Sequence, residues 1–152
     1  MKKFFEKIIC LSLIIFYVCK IDQVQSLIPY YYFPTTRNLN KESLSIGKNA
    51  YQLLYFGQYK ESLNLARLAI KINKTDAKLW LILSEAQVAN KLHTKGLSSL
   101  NEAQKINPNI SEIYFAKSNI YFKIEQFQNA KKALKTGLSF EPNNPKAIFQ
   151  LG

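Results

Sequence analysis

The stretch "AKLWLILSEAQVANKLHTKGLSSLNEAQKINPNI", residues 77–110, decides how the chain is read. Leu79, Trp80, Leu83, Ala86 and Val88 recur at helical spacing, and so do Leu97, Leu100, Ala103 and Ile106. Between the two runs, a short turn around Asn90–Leu92 makes the break. Pro108 follows the second run, where a helix cannot continue. The spacing predicts two helices of roughly four turns, folded back on each other as a hairpin.

The same phrase recurs on both sides at a step of 34 residues. "AIKINK" at 69–74, "AQKINP" at 103–108 and "GLSFEP" at 137–142 close three such blocks. The small residues Ala69, Ala103 and Gly137 share one register, and Ala66, Leu100 and Leu134 share another. Tyr59, His93 and Phe127 share a third, just after the break, where the first block carries Gly57 in "YFGQY". Blocks 43–76, 77–110 and 111–144 therefore align without a gap. One hairpin cannot bury its own apolar face, so about three such units make a minimal stable stack.

This pattern resembles the tetratricopeptide repeat. Trp80 fills the family's tryptophan place, Leu83 its leucine and Tyr121 its tyrosine. Ala130, with Ser62 and Gly96 as small substitutes, fills the first alanine place, and Ala69 and Ala103 fill the second. Pro108 and Pro142 fill the proline place, while Lys74 departs from it. The first block diverges most, with Ile46 for tryptophan and Leu53 for tyrosine. The resemblance implies an all-α, right-handed superhelical solenoid of antiparallel hairpins, with three repeats and the start of a fourth at 145–152.

It also implies a concave groove lined by the first helix of each repeat. Its wall residues fall on Tyr51, Leu54 and Tyr55 in the first unit, on Lys78, Leu81 and Glu85 in the second, and on Phe115, Asn119, Phe122 and Lys123 in the third. Such a wall suits an extended or helical segment of a protein partner. The competing expectation is that Tyr51, Leu54 and Phe122 are covered by neighbouring helices or further repeats. Some members of the family hold a partner's terminal carboxylate with a Lys–Asn–Arg set; here Gly47 and Tyr51 stand where its first lysine and asparagine would be. The chain is thus expected to be a protein-interaction scaffold. Exported or membrane-tethered members, among them cyanobacterial and plastid ones, assist the assembly of membrane complexes.

A second function class follows from charge. The net charge is +11, but only Arg37 and Arg67 are arginines, the residue that grips phosphates bidentately. Lys131, Lys132 and Lys135, with Lys105 and Lys123, could make an RNA- or anionic-surface-binding face; a solvated helix face is the plainer expectation, and an export leader argues against nucleic acid. No catalytic constellation, cofactor motif or metal set is expected. The single histidine, His93, reads as a packing substitute at the turn, and both cysteines, Cys10 and Cys19, lie in the leader.

That leader, 1–26, has a basic start (Lys2, Lys3, Lys7), an apolar run Ile8–Cys19 and a polar exit. The run spans roughly 18 Å as a helix, against a hydrocarbon core of about 30 Å. A cleaved signal peptide, an uncleaved anchor lengthened by Lys7 and Lys20, and a buried first helix all remain open; export or membrane association covers the first two. Residues 27–42, with Tyr30–Phe33 between Pro29 and Pro34, read as an aromatic linker in contact with a membrane interface or with the first repeat. Residues 145–152 read as a weakly docked start of a fourth repeat, and the chain as a fragment of a longer array. Mass spectrometry of the N-terminus is expected to find the mature chain starting at Leu27, after a cut behind Ser26; a start at Met1 would leave the anchor and the buried first helix.

Overall fold

The protein is described by a computed structural model over residues 36–151; the leader and Tyr30–Phe33 lie outside the described residues. These residues form α1 (Thr36–Tyr55), α2 (Tyr59–Ile72), α3 (Ala77–Ala89), α4 (His93–Ile106), α5 (Ser111–Lys123), α6 (Phe127–Phe140) and α7 (Pro145–Leu151). The pairs α1/α2, α3/α4 and α5/α6 are hairpins, and each hairpin packs on the next through both its first helix and the preceding second helix. The architecture is all-α, a solenoid of helical hairpins.

Each hairpin closes through the same backbone device. Gly57, Lys91 and Glu125 have φ of 73°, 62° and 61°, one repeat apart. The N–H groups of Gln58, Leu92 and Gln126 then donate to the carbonyls of Leu53, Gln87 and Tyr121 at 2.9, 2.8 and 2.8 Å. That is the six-to-one bond of a left-handed helix stop, which satisfies carbonyls the helix leaves unpaired. Only the first of the three positions carries the residue for which this φ costs nothing.

Side-chain size sets the approach of the helices. Ser62, Gly96 and Ala130 are buried where the second helix of each hairpin crosses the first, and Ala69, Ala103 and Gly137 are buried two turns further on. A Cβ at Gly137 would lie 2.5 Å from the Phe115 ring, so the glycine is what admits that ring. Leu79, Leu83 and Ala86 of α3 close on Leu63, Ala66 and Ala69 of α2 in one apolar cluster. Ile113 and Ile120 of α5 close on Leu100 and Ala103 of α4 in the next.

Polar ties repeat with the same period. Trp80 Nε1 donates to the Lys74 carbonyl at 2.8 Å, and Tyr114 Oη to the Pro108 carbonyl at 2.7 Å. The family's tryptophan place thus holds a large ring whose polar edge fastens it to the turn before its own helix. Ile46 has no such edge.

One expectation is corrected. Residues 36–42, read as part of the linker, are helical. The helix-opposing prolines precede this stretch, which contains neither proline nor glycine. Ser43 beyond it is fully buried, and its Oγ donates to the Asn40 carbonyl at 2.8 Å. The start of the fourth unit is helical through Leu151 and is capped, with Asn144 Oδ1 accepting from the Ala147 N–H at 3.0 Å. The residue that buries is Ala147, at 3% exposure, while Ile148 stays 51% exposed.

At Glu125 the left-handed φ costs about 1–2 kcal/mol for a residue with a Cβ, against a glycine penalty of roughly 0.5–1 kcal/mol in the unfolded chain. Glu125→Gly is therefore expected to stabilise the fold by about 0.5–1 kcal/mol. Urea unfolding reads this as a raised midpoint; a lowered midpoint would contradict the strain.

Candidate functional site

The first helices of the second and third hairpins, α3 and α5, leave a cleft of about 820 Å³ between them, open on one side. Val88, Ala89, Ala116, Ile120 and Phe122 give it an apolar lining. Glu85, Asn119 and Lys123 bring polar groups from α3 and α5, while Tyr59, Lys91 and His93 come from the hairpin ends. A second, smaller cleft of about 340 Å³ lies between α5, α6 and α7, lined by Phe122, Phe127, Ala130, Leu134 and Gln150 among others. Asn119 and Phe122 line both. Phe122 is 65% exposed and meets the Phe127 ring edge-on at 5.5 Å. Gln150 Nε2 donates to Asn119 Oδ1 at 3.4 Å, bridging α7 to the shared wall.

Of the wall residues expected from the sequence, Glu85, Asn119, Phe122 and Lys123 are brought together in the larger cleft. Tyr51 and Tyr55 on α1 are exposed, Tyr55 edge-on to Phe56 at 5.6 Å, and with the half-buried Leu54 they line neither cleft. Lys78 is exposed in the first turn of α3, where its N–H donates to the Asp76 carboxylate at 2.8 Å. Leu81 packs against the second apolar cluster, and Phe115 is half-buried over Gly137. Lys131, Lys132 and Lys135 are exposed on α6, whereas Lys105 is paired with Glu102 at 2.7 Å and Lys123 faces the larger cleft.

The sequence reading missed Ser84, Tyr59 and Lys91, and gave His93 only a packing role. Ser84 is 1% exposed and lines the cleft, yet its Oγ has no hydrogen-bond partner among the described residues. The Nδ1 of half-buried His93, on the same cleft, is likewise buried without a partner. The 34-residue register held the available signal. His93 aligns with Tyr59 and Phe127, so a ring nitrogen enters where the other units have hydrocarbon or phenol.

Burial raises the Glu85 carboxyl above its ordinary range, and among the described residues it forms no salt bridge. Lys117, buried on the far side of α5, is shifted down for the same reason; its ammonium donates to Gln104 Oε1, which belongs to the preceding hairpin. The cleft therefore carries one desolvated carboxylate and two unpaired buried polar atoms over an apolar lining. Ser84 Oγ and His93 Nδ1 are not hydrogen-bonded to each other.

Residues 111–144 match the family model of the tetratricopeptide repeat. The first repeat domain of Spaghetti (RPAP3), bound to the HSP90 peptide SRMEEVD, matches at a TM-score of 0.69 and 20% identity, over 74% of this chain and 89% of that one. The Arabidopsis OM64 repeat domain matches at 0.70 and 16% identity, over 74% and 93%. The Yersinia enterocolitica type III secretion translocator chaperone SycD matches at 0.65 and 13% identity, over 72% and 83%. The fold is that of tetratricopeptide-repeat solenoids, and the third hairpin is one such repeat.

A carboxyl whose folded-state pKa is raised weakens the fold when ionised. The cost is present in full above that raised pKa and is relieved as pH falls toward the unfolded value of about 4.3. Glu85→Gln is therefore expected to melt higher than the parent at pH 7, with the gap closing as the pH approaches 4. A gap that stays constant across this range would show that burial of the charge is not its source.

Proposed function

We propose that this chain is a protein-interaction scaffold that takes a segment of a partner protein in the cleft between α3 and α5. One observation carries the reading: an open cleft of about 820 Å³ has an apolar lining, a largely exposed aromatic ring at Phe122 and polar groups left to pair. Exposed apolar surface of this kind marks partner sites, and a few polar groups on such a lining fix orientation. The likeness to a repeat domain described with an HSP90 peptide supports the class of ligand. Its fold, shared at 20% identity, does not carry over the peptide.

Delivery of this groove to a membrane complex, as an assembly factor in an exported or membrane-associated setting, is the extension that the leader supports. Among the described residues no helix is long and apolar enough to cross a membrane. Residues 1–26 have the layout of an export or anchor segment.

Selection of random twelve-residue peptides displayed against the full chain tests the scaffold. Binders are expected to emerge, and Phe122→Ala is expected to weaken the groove-bound ones about tenfold by removing a largely exposed ring. Binders indifferent to Phe122→Ala and to Asn119→Ala would place recognition elsewhere. Failure to enrich any peptide would count against the groove itself.

A further inference from the structure

Resting on that reading, we propose that the cleft between α3 and α5 selects a partner segment carrying a basic side chain, lysine or arginine, which enters against Glu85 with Ser84 and His93 as further acceptors. The argument is one of complementarity between what the cleft leaves unpaired and what each kind of side chain offers.

Buried polar atoms in folded proteins are almost always paired, and an unpaired one costs the free energy of its lost water. Ser84 Oγ and His93 Nδ1 are both buried without a partner among the described residues, and both residues line this cleft. The hydroxyl accepts hydrogen bonds as well as donating one. Imidazole Nδ1 accepts when the proton sits on Nε2. An ionised carboxylate only accepts. The three groups thus share one capacity, and a ligand group that pairs with any of them by this capacity has to be a donor.

Ammonium and guanidinium groups are donors without acceptors. Their charge offsets that of Glu85, which has no salt-bridge partner among the described residues. Their long hydrocarbon stems suit an apolar lining, and their heads favour the face of an aromatic ring; Val88, Tyr59 and Phe122 supply both. An acidic side chain would face the desolvated Glu85 carboxylate with no buried cation to offset it.

Lys91 and Lys123 also line the cleft, and both are exposed. Water and salt screen exposed charges far more than buried ones, so these two rim lysines weigh less than Glu85 on a group inside. The preference is opposite in sign to the acidic peptide SRMEEVD held by the Spaghetti repeat domain.

The peptides enriched against the full chain and weakened by Phe122→Ala provide the test. They are expected to share a lysine or arginine. Exchanging that residue for norleucine should weaken binding at least tenfold, and Glu85→Gln should cost the parent peptide a similar factor. Glu85→Gln should leave the norleucine peptide nearly unchanged, which ties the loss to this one pairing and not to a disturbed fold. Groove binders without a basic residue would overturn the proposal while leaving the scaffold intact. So would acidic binders that Lys91→Ala and Lys123→Ala weaken. An absence of enriched peptides would remove the scaffold reading and this proposal with it.

Discussion

Close approach of helices is the constraint on which the rest depends. Where α4 crosses α3, a Cβ at Gly96 would lie 2.9 Å from Val88 Cγ2 and 3.2 Å from Ile120 Cδ1. The contact therefore joins three helices at once: α4 supplies the gap, α3 one wall and α5 the other. Ser62 and Ala130 hold the same place in the flanking hairpins. At Ser62 the crossing is fastened as well as narrow, because its Oγ donates to the Ala50 carbonyl at 2.7 Å. Larger side chains here would push each hairpin open, and the next first helix would lose its seat. Burial in a repeat stack is a nearest-neighbour matter, so an error at one crossing is felt in two interfaces.

The hairpins were legible because their determinants recur. Small residues at the crossings, apolar residues at helical spacing and the closing phrases at 69–74, 103–108 and 137–142 all keep one register, and the helices start at Ala77, Ser111 and Pro145, where the blocks start. The start of α1 was not legible from that register, since its extra turns at Thr36–Glu42 precede the first block and carry no repeat mark. Nor was the seat of α7. Ile148 falls one repeat after Tyr114, but Trp80 and Tyr114 hold that place partly through a polar edge bonded to the preceding turn, which isoleucine lacks. The small Ala147 meets the stack instead.

The groove was half legible for a related reason. A register states which helix face a residue occupies, and it put Glu85, Asn119, Phe122 and Lys123 on the right one. It does not state how deep a neighbour reaches. Phe115 shares that face, yet Gly137 leaves room beneath it, and the ring turns inward to fill it. Leu81 is drawn into the core between α3 and α5 in the same way. Hydrogen-bond satisfaction is less legible still. Ser84, at a place where the other units have Ala50 and Ser118, gives no sign in sequence that its hydroxyl is left alone.

Packing and site chemistry meet at Gly96. The position built for a Cβ there is 3.5 Å from the Ser84 carbonyl, so α4 lies directly against this turn of α3. That approach buries Ser84, and His93 stands at the start of α4, next to Leu92, whose carbonyl accepts from the Gly96 N–H at 3.0 Å. Ile120, reaching over the same crossing, lines the cleft next to them. The tight crossing that closes the second hairpin thus also buries Ser84, whose Oγ has no hydrogen-bond partner among the described residues. The close seat of α4 and the burial of the Ser84 hydroxyl have a common origin in one missing side chain.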